Sequence, residues 1–167
     1  MFSWKDKEWR RPRFAWKPEP HVLFLVTPPY SGSTAMAQLL NSGEHTMFFF
    51  GWNGEGQWLV PDLSGKDRWN KDLAVDYKSV RAAWMVEFRQ VRKNHPRVTT
   101  VIEKSPPNMM RLSKLAESFK NHSFLANNRN PYAVCSSIYY RVHAEKMVGA
   151  DEMSRSMLFR ELAESWM

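Results

Sequence analysis

Three short polar clusters carry most of the residues in this chain whose types and spacing could do chemistry: Thr27 to Thr34, Glu103 to Ser105, and Asn127 to Asn130. In the first, Tyr30-Ser31-Gly32-Ser33-Thr34 follows an apolar run and precedes Ala35, Met36, Ala37, Leu39 and Leu40, the pattern of a helix that Asn41-Ser42-Gly43 stops. Gly32 lets the backbone approach a ligand closely. The hydroxyls of Ser31, Ser33 and Thr34 would stand beside the free amides of a helix N-terminus, so the segment can cradle an anion such as a phosphate. An ordinary capped turn uses the same residue types, and this cluster alone leaves both readings open. It is not a Walker A loop, because G-x-x-x-x-G-K-[ST] is absent and no lysine stands where a nucleotidase needs one. No set of His, Cys or carboxylates has metal-ligand spacing, and no metal is expected.

The elements that must position these clusters follow from the hydrophobic pattern. Val22 to Val26 is a short continuous apolar run ended by Thr27-Pro28-Pro29, as in a buried parallel strand. Met47 to Gly65 is rich in glycine and aromatics and reads as a strand leading into a shaped loop. Leu73, Tyr77, Val80, Trp84, Phe88 and Val91 recur at spacings of three and four, which predicts a helix from about Asp72 to Lys93 with one face on the core. Val98 to Ile102 is a second β-branched run. Ser105 is placed to cap a helix whose first turn tolerates Pro106 and Pro107 and whose apolar side is Met109, Leu112, Leu115, Ala116 and Phe119. A third strand is expected at His122 to Ala126, a helix from near Pro131 carrying Val134, Cys135, Ile138 and Val142, and a last helix carrying Met153, Met157, Leu158 and Leu162. Strands alternating with helices predict an α/β fold with a parallel sheet covered on both faces. In such sheets the carboxyl ends of the strands converge, and all three polar clusters fall there.

Taken together, the motifs resemble those of the sulfotransferase family, closest to its Golgi and bacterial carbohydrate- and tyrosyl-type branches. Pro29 to Thr34 resembles the family's 5′-phosphosulfate loop. Arg129-Asn130-Pro131-Tyr132-Ala133-Val134-Cys135-Ser136-Ser137 resembles its 3′-phosphate motif, in which an arginine at a strand end and a serine eight residues later hold the 3′-phosphate. Ile102-Glu103-Lys104-Ser105-Pro106-Pro107 looks like the Glu-Lys-Ser/Thr-Pro segment. The resemblance runs from His21 to Met167. It implies a three-layer, P-loop-like fold and transfer of a sulfuryl group from 3′-phosphoadenosine-5′-phosphosulfate (PAPS) to a hydroxyl or amine, leaving 3′,5′-adenosine bisphosphate. The cofactor-binding residues it implies are Tyr30, Ser31, Gly32, Ser33, Thr34, Arg129 and Ser137. Glu55 occupies the place of the general base, with Glu44 and His45 as competing bases. Lys104 is the implied cation on the sulfuryl or bridging oxygen, with an ion pair to the adjacent Glu103 as its structural alternative. Two departures stand out: Tyr30 replaces the lysine or arginine that many members carry there, and family domains usually continue past the position of Met167. A domain at residues 21–167, C-terminally incomplete, is therefore expected.

Composition bounds the partners. The chain has 167 residues and a formal charge of +7, with much of the excess in a basic, aromatic arm at residues 1–20, where Lys5, Lys7, Arg10, Arg11, Arg13 and Lys17 alternate with Trp4, Trp9, Phe14 and Trp16. Such charge favours polyanions, so a non-catalytic polyanion- or nucleotide-binding protein is the rival from another class, and a P-loop kinase the rival enzyme. The expected partner is a small-molecule, carbohydrate or peptide acceptor, with no specific nucleic acid. Trp52, Trp58, Trp69 and Phe48 to Phe50 could face an aromatic or sugar acceptor, or pack in the core. The single cysteine, Cys135, closes no intramolecular disulfide, and no run reaches the roughly 18 apolar residues of a membrane span, so a cytoplasmic chain without a membrane span is expected.

Overall fold

A computed structural model of the chain describes residues 19–49, 54–142 and 151–164. The basic arm expected at residues 1–20 lies almost wholly outside the described residues, as do Phe50 and Trp52.

The chain is an α/β protein built on a parallel sheet. Strands β1 (His21–Val26), β2 (Thr46–Phe48), β3 (Thr100–Glu103) and β4 (His122–Ala126) pair in the order β2-β3-β1-β4, every pairing parallel. The helices are α1 (Ser33–Leu40), the single turn α2 (Pro61–Ser64), α3 (Tyr77–Asn94), α4 (Leu112–Ser118), α5 (Pro131–Val142) and α6 (Glu152–Glu164). Among the described residues, the 3₁₀ segments Gly56–Leu59, Lys66–Trp69 and Pro106–Arg111 shape the connections.

Alternation along the strands divides the core in two. Val22, Phe24, Met47 and Val101 face one way and pack with Val80, Trp84, Phe88 and Val91 of α3 and Leu115 of α4. Leu25 and Ile102 face the other way, under Ala37, Met36 and Leu40 of α1. Trp84 is the hub of the first layer: it is fully buried and stacks on Phe119 with ring centroids 5.2 Å apart, while its tilted contact with Phe49 is also 5.2 Å. At roughly 25 cal/mol per Å² of apolar surface, burying such a ring outweighs the entropy of fixing its rotamer.

Several expectations are corrected by the packing. α3 starts at Tyr77 rather than near Asp72, because the Asp76 side chain accepts from the Lys78 amide at 3.0 Å and so caps the helix there. Ser105 caps no helix; its hydroxyl accepts from the Gln57 amide at 3.1 Å instead. The segment after it is a 3₁₀ turn before it becomes α4, and the tighter winding turns Met109 out to the surface. The sheet is covered on both faces over β1 and β3 but not over β4, where residues 123–126 are exposed and Phe124 keeps one stacked contact with Phe24 at 5.3 Å. Of the α5 stripe, Val134 and Cys135 are buried. Among the described residues no helix is long and apolar enough to cross a membrane.

Candidate functional site

The carboxyl ends of β1, β3 and β4 share one edge of the sheet because all four strands run the same way. The segment after β1 turns sharply there. Tyr30 takes a left-handed backbone (φ 60°) and so does Gly32 (φ 85°), the residue before α1. A left-handed conformation is costly for a tyrosine, and glycine adopts it freely. Inside the loop, the Ser31 hydroxyl donates to the Pro28 carbonyl at 2.7 Å and shares a short hydrogen bond with Thr27. Asn127, just past β4, donates to Thr27 Oγ1, Ser31 Oγ and the Ser31 carbonyl, each at 3.3 Å. Ser31 is therefore a brace for the loop rather than a hydroxyl aimed outward.

No side chain caps α1; Gly32 offers only its carbonyl, which accepts from Met36. The amides of Ser33, Thr34 and Ala35 consequently have no intrahelical partner, and they point off the end of the helix where its dipole favours an anion. The side-chain-capped turn left open by the sequence is not what forms. Ser33 is buried, and Gly32 and Thr34 are exposed.

Lys104 leaves the end of β3 only 2% exposed. Its Nζ donates to Glu55 Oε1 at 2.9 Å and to Thr34 Oγ1 at 3.4 Å. The alternative ion pair with the adjacent Glu103 does not form. Glu55 is no solvated loop carboxylate either: its side chain is 12% exposed, and Oε2 accepts from Gln57 Nε2 at 2.5 Å and Trp58 Nε1 at 3.1 Å. The competing bases are at the other edge. Glu44 and His45 precede β2 at its amino end, where Glu44 pairs with Arg97 at 2.5 Å and with His45 at 3.4 Å.

Arg129 and Ser137, paired by the motif resemblance, are in contact. Arg129 Nη1 donates to Ser137 Oγ at 3.1 Å and reaches the Tyr30 carbonyl at 3.5 Å. The Ser137 hydroxyl donates to the Ala133 carbonyl at 2.8 Å, one helical turn back, so it bonds its own backbone and also accepts from Arg129. No carboxylate lies within ion-pair distance of Arg129 among the described residues, which leaves an exposed guanidinium with donors to spare.

Of the residues singled out from the sequence, six thus belong to one chain of contacts: Ser137 to Arg129, Arg129 to Tyr30, Tyr30 to Thr34 along the loop, Thr34 to Lys104, and Lys104 to Glu55. Of the aromatic residues suggested as an acceptor surface, Trp58 and Trp69 are partly exposed, Phe49 is core, and Arg68 lies over the Trp58 ring at 5.8 Å. Sequence reasoning missed Asn127 as the brace of the loop and Glu103 as more than a neighbour of Lys104. The signal for the second was its position, at the end of a buried β-branched strand directly after Val101 and Ile102. Among the described residues, no group of three or more His, Cys, Asp or Glu is arranged to hold a metal ion.

No protein-family model, no curated protein and no solved structure matches this chain.

Proposed function

We propose that this chain binds PAPS and transfers its sulfuryl group to a hydroxyl or amine acceptor. The observation that carries the reading is the contiguity of an exposed Arg129 on Ser137 with no carboxylate partner among the described residues, an uncapped helix N-terminus at Ser33 to Ala35, and a Lys104–Glu55 pair beside Thr34. These are donors for two separate anionic groups, followed by a cation and a carboxylate.

In this reading Arg129 and Ser137 hold the 3′-phosphate, since a guanidinium forks onto phosphate oxygens, and the amides after Gly32 hold the 5′-phosphate. The bound cofactor supplies a sulfuryl group on a phosphate leaving group. The protein's share is alignment and charge stabilisation. Lys104 sits between Thr34 and Glu55 and can turn from the carboxylate to an anionic oxygen at the loop. Glu55, freed at Oε1 and still held at Oε2 by Gln57 and Trp58, then takes the proton from the acceptor as the new S–O or S–N bond forms and the bond to the phosphate breaks. Tyr30 brings no positive charge; its contribution is a backbone carbonyl under Arg129 and the bend that exposes Gly32. Lys104 supplies the charge instead.

Calorimetric titration with 3′,5′-adenosine bisphosphate and with 5′-AMP tests this. The bisphosphate is expected to bind about ten- to a hundredfold more tightly, and Arg129→Ala to abolish that preference, as two charge-assisted hydrogen bonds require. Equal binding of both nucleotides, or binding that ignores Arg129 and falls steeply with salt, would refute the proposal in favour of a polyanion-binding protein.

A further inference from the structure

Glu103 is 1% exposed and has no cation as partner among the described residues, since Lys104 is turned to Glu55. Its carboxylate is nevertheless fully engaged. Oε2 accepts from the Gly56 amide at 2.8 Å, and Oε1 accepts from the Ser105 amide at 2.8 Å and from Asn108 Nδ2 at 3.1 Å. Three successive residues leaving β3 therefore grip three successive residues of the loop: Glu103 holds Gly56, Lys104 holds Glu55, and Ser105 holds the Gln57 amide. The far side of the loop is closed by Trp84 Nε1, which donates to the Gly56 carbonyl at 3.0 Å. Gly56 has to be glycine for lack of space, because a Cβ there would press into Glu103 Oε2, Phe49 and Trp84.

We infer that Glu103 is the positioning residue of the Lys104–Glu55 pair, the acceptor that fixes the Glu55 loop against the end of β3. Calling that pair catalytic rests on the function proposed above; the positioning itself does not. An ionised carboxylate suits the place because it only accepts, and three N–H donors converge on it. Burial works against the charge and pushes the Glu103 carboxyl up to about 7, against the hydrogen bonds from Ser105 and Gly56 and with the nearby Glu55 charge. Above that pH the carboxylate is ionised, and both its oxygens accept from the three donors. A glutamine of the same volume would present an amide N–H to the Gly56 N–H, so Glu103→Gln is the smallest change that opens the contact.

The test compares wild type and Glu103→Gln by amide hydrogen exchange, by the indole N–H resonances of Trp58 and Trp84, and by acylation of Lys104 with an amine-reactive ester read by mass spectrometry. Expected in Glu103→Gln are at least a tenfold loss of protection at Gly56 and Gln57 with Phe24 and Val101 unchanged, shifts of both indole signals, and Lys104 labelling that rises toward the rate of exposed Lys78. Gly56→Ala, which crowds the same contact from the other side, is expected to do the same and serves if Glu103→Gln does not fold. Unchanged protection and shielding of Lys104 would overturn the inference. So would protection lost evenly across β1 and β3, which would make Glu103 a stability residue only. Affinity for 3′,5′-adenosine bisphosphate is expected to stay within twofold of wild type, since Arg129 is not part of the grip. A wild type that fails to prefer the bisphosphate while Glu103→Gln still loosens the loop would sink the proposed function and leave the positioning standing.

Discussion

Lys104 and Glu55 form a nearly buried ion pair, and the value of each depends on the other. Removing one partner of such a pair leaves an uncompensated charge away from water, which costs more than the pair contributes. Lys104→Met is therefore expected to destabilise the protein by on the order of 2–3 kcal/mol, below the fully buried figure because Glu55 keeps some exposure and two other donors. Adding Glu55→Gln should recover most of that loss. Urea midpoints at constant m-value for both single variants and the double would measure the coupling, and simple additivity would mean that the two side chains do not act as a pair. At this scale the sequence revealed residue types better than partnerships. Arg129 and Ser137 were legible because both lie on one local segment that resembles a family motif, a strand-end arginine followed eight residues later by a helix serine. Glu55 with Lys104 was not, since the two stand 49 residues apart and the one carboxylate partner weighed for the lysine was its neighbour Glu103.

At the scale of elements, local signals fixed most boundaries and failed where a side chain was claimed from elsewhere. β4 and α5 fall where the apolar run and Pro131 put them. The long helix begins five residues later than its apolar stripe suggests because Asp76 caps it, with Ser79 donating to the same carboxylate at 2.5 Å. Those contacts, first the Ser79 hydroxyl and then the Lys78 amide, hold the Asp76 carboxyl below its ordinary value of 3.8. A depressed carboxylate contributes stability above the unfolded pKa and loses it as pH falls through the folded one. The first turn of α3 is thus expected to fray in acid below about pH 4, seen as faster exchange of the Lys78 amide while amides near Trp84 stay protected; Asp76→Asn should flatten that profile. The glycines divide by mechanism in the same way. Gly32 is required by its positive φ with open space around it, and Gly56 by the close approach of Glu103 and Trp84. Sequence shows both only as glycines in polar loops.

For the molecule as a whole, Glu103 sets an unusual sign. Its carboxyl titrates at about 7 in the fold against 4.5 when unfolded, so between those values the folded chain holds a proton that the unfolded chain has released. Stability should therefore fall as pH rises from about 4.5 to 7, by roughly 3 kcal/mol from this group, and level off above. Denaturant midpoints of wild type should trace that slope and those of Glu103→Gln should lack it; a wild-type profile that is flat across the window would mean the buried carboxylate is fully compensated by its donors. What the sequence by itself determined is what burial encodes locally: alternating strands and helices, a parallel sheet, a glycine turn before a helix, and an arginine and serine on one segment. The tertiary structure decided the rest: the order β2-β3-β1-β4, the uncovered β4, the removal of Glu44 to the opposite edge of the sheet, and the choice of Glu55 over Glu103 as the partner of Lys104. The reason is physical. Whether a residue is buried is written in periods of two and 3.6 along the chain, but which polar groups meet depends on strand order and on competition for a few buried donors and acceptors, and those choices are made only when distant segments pack.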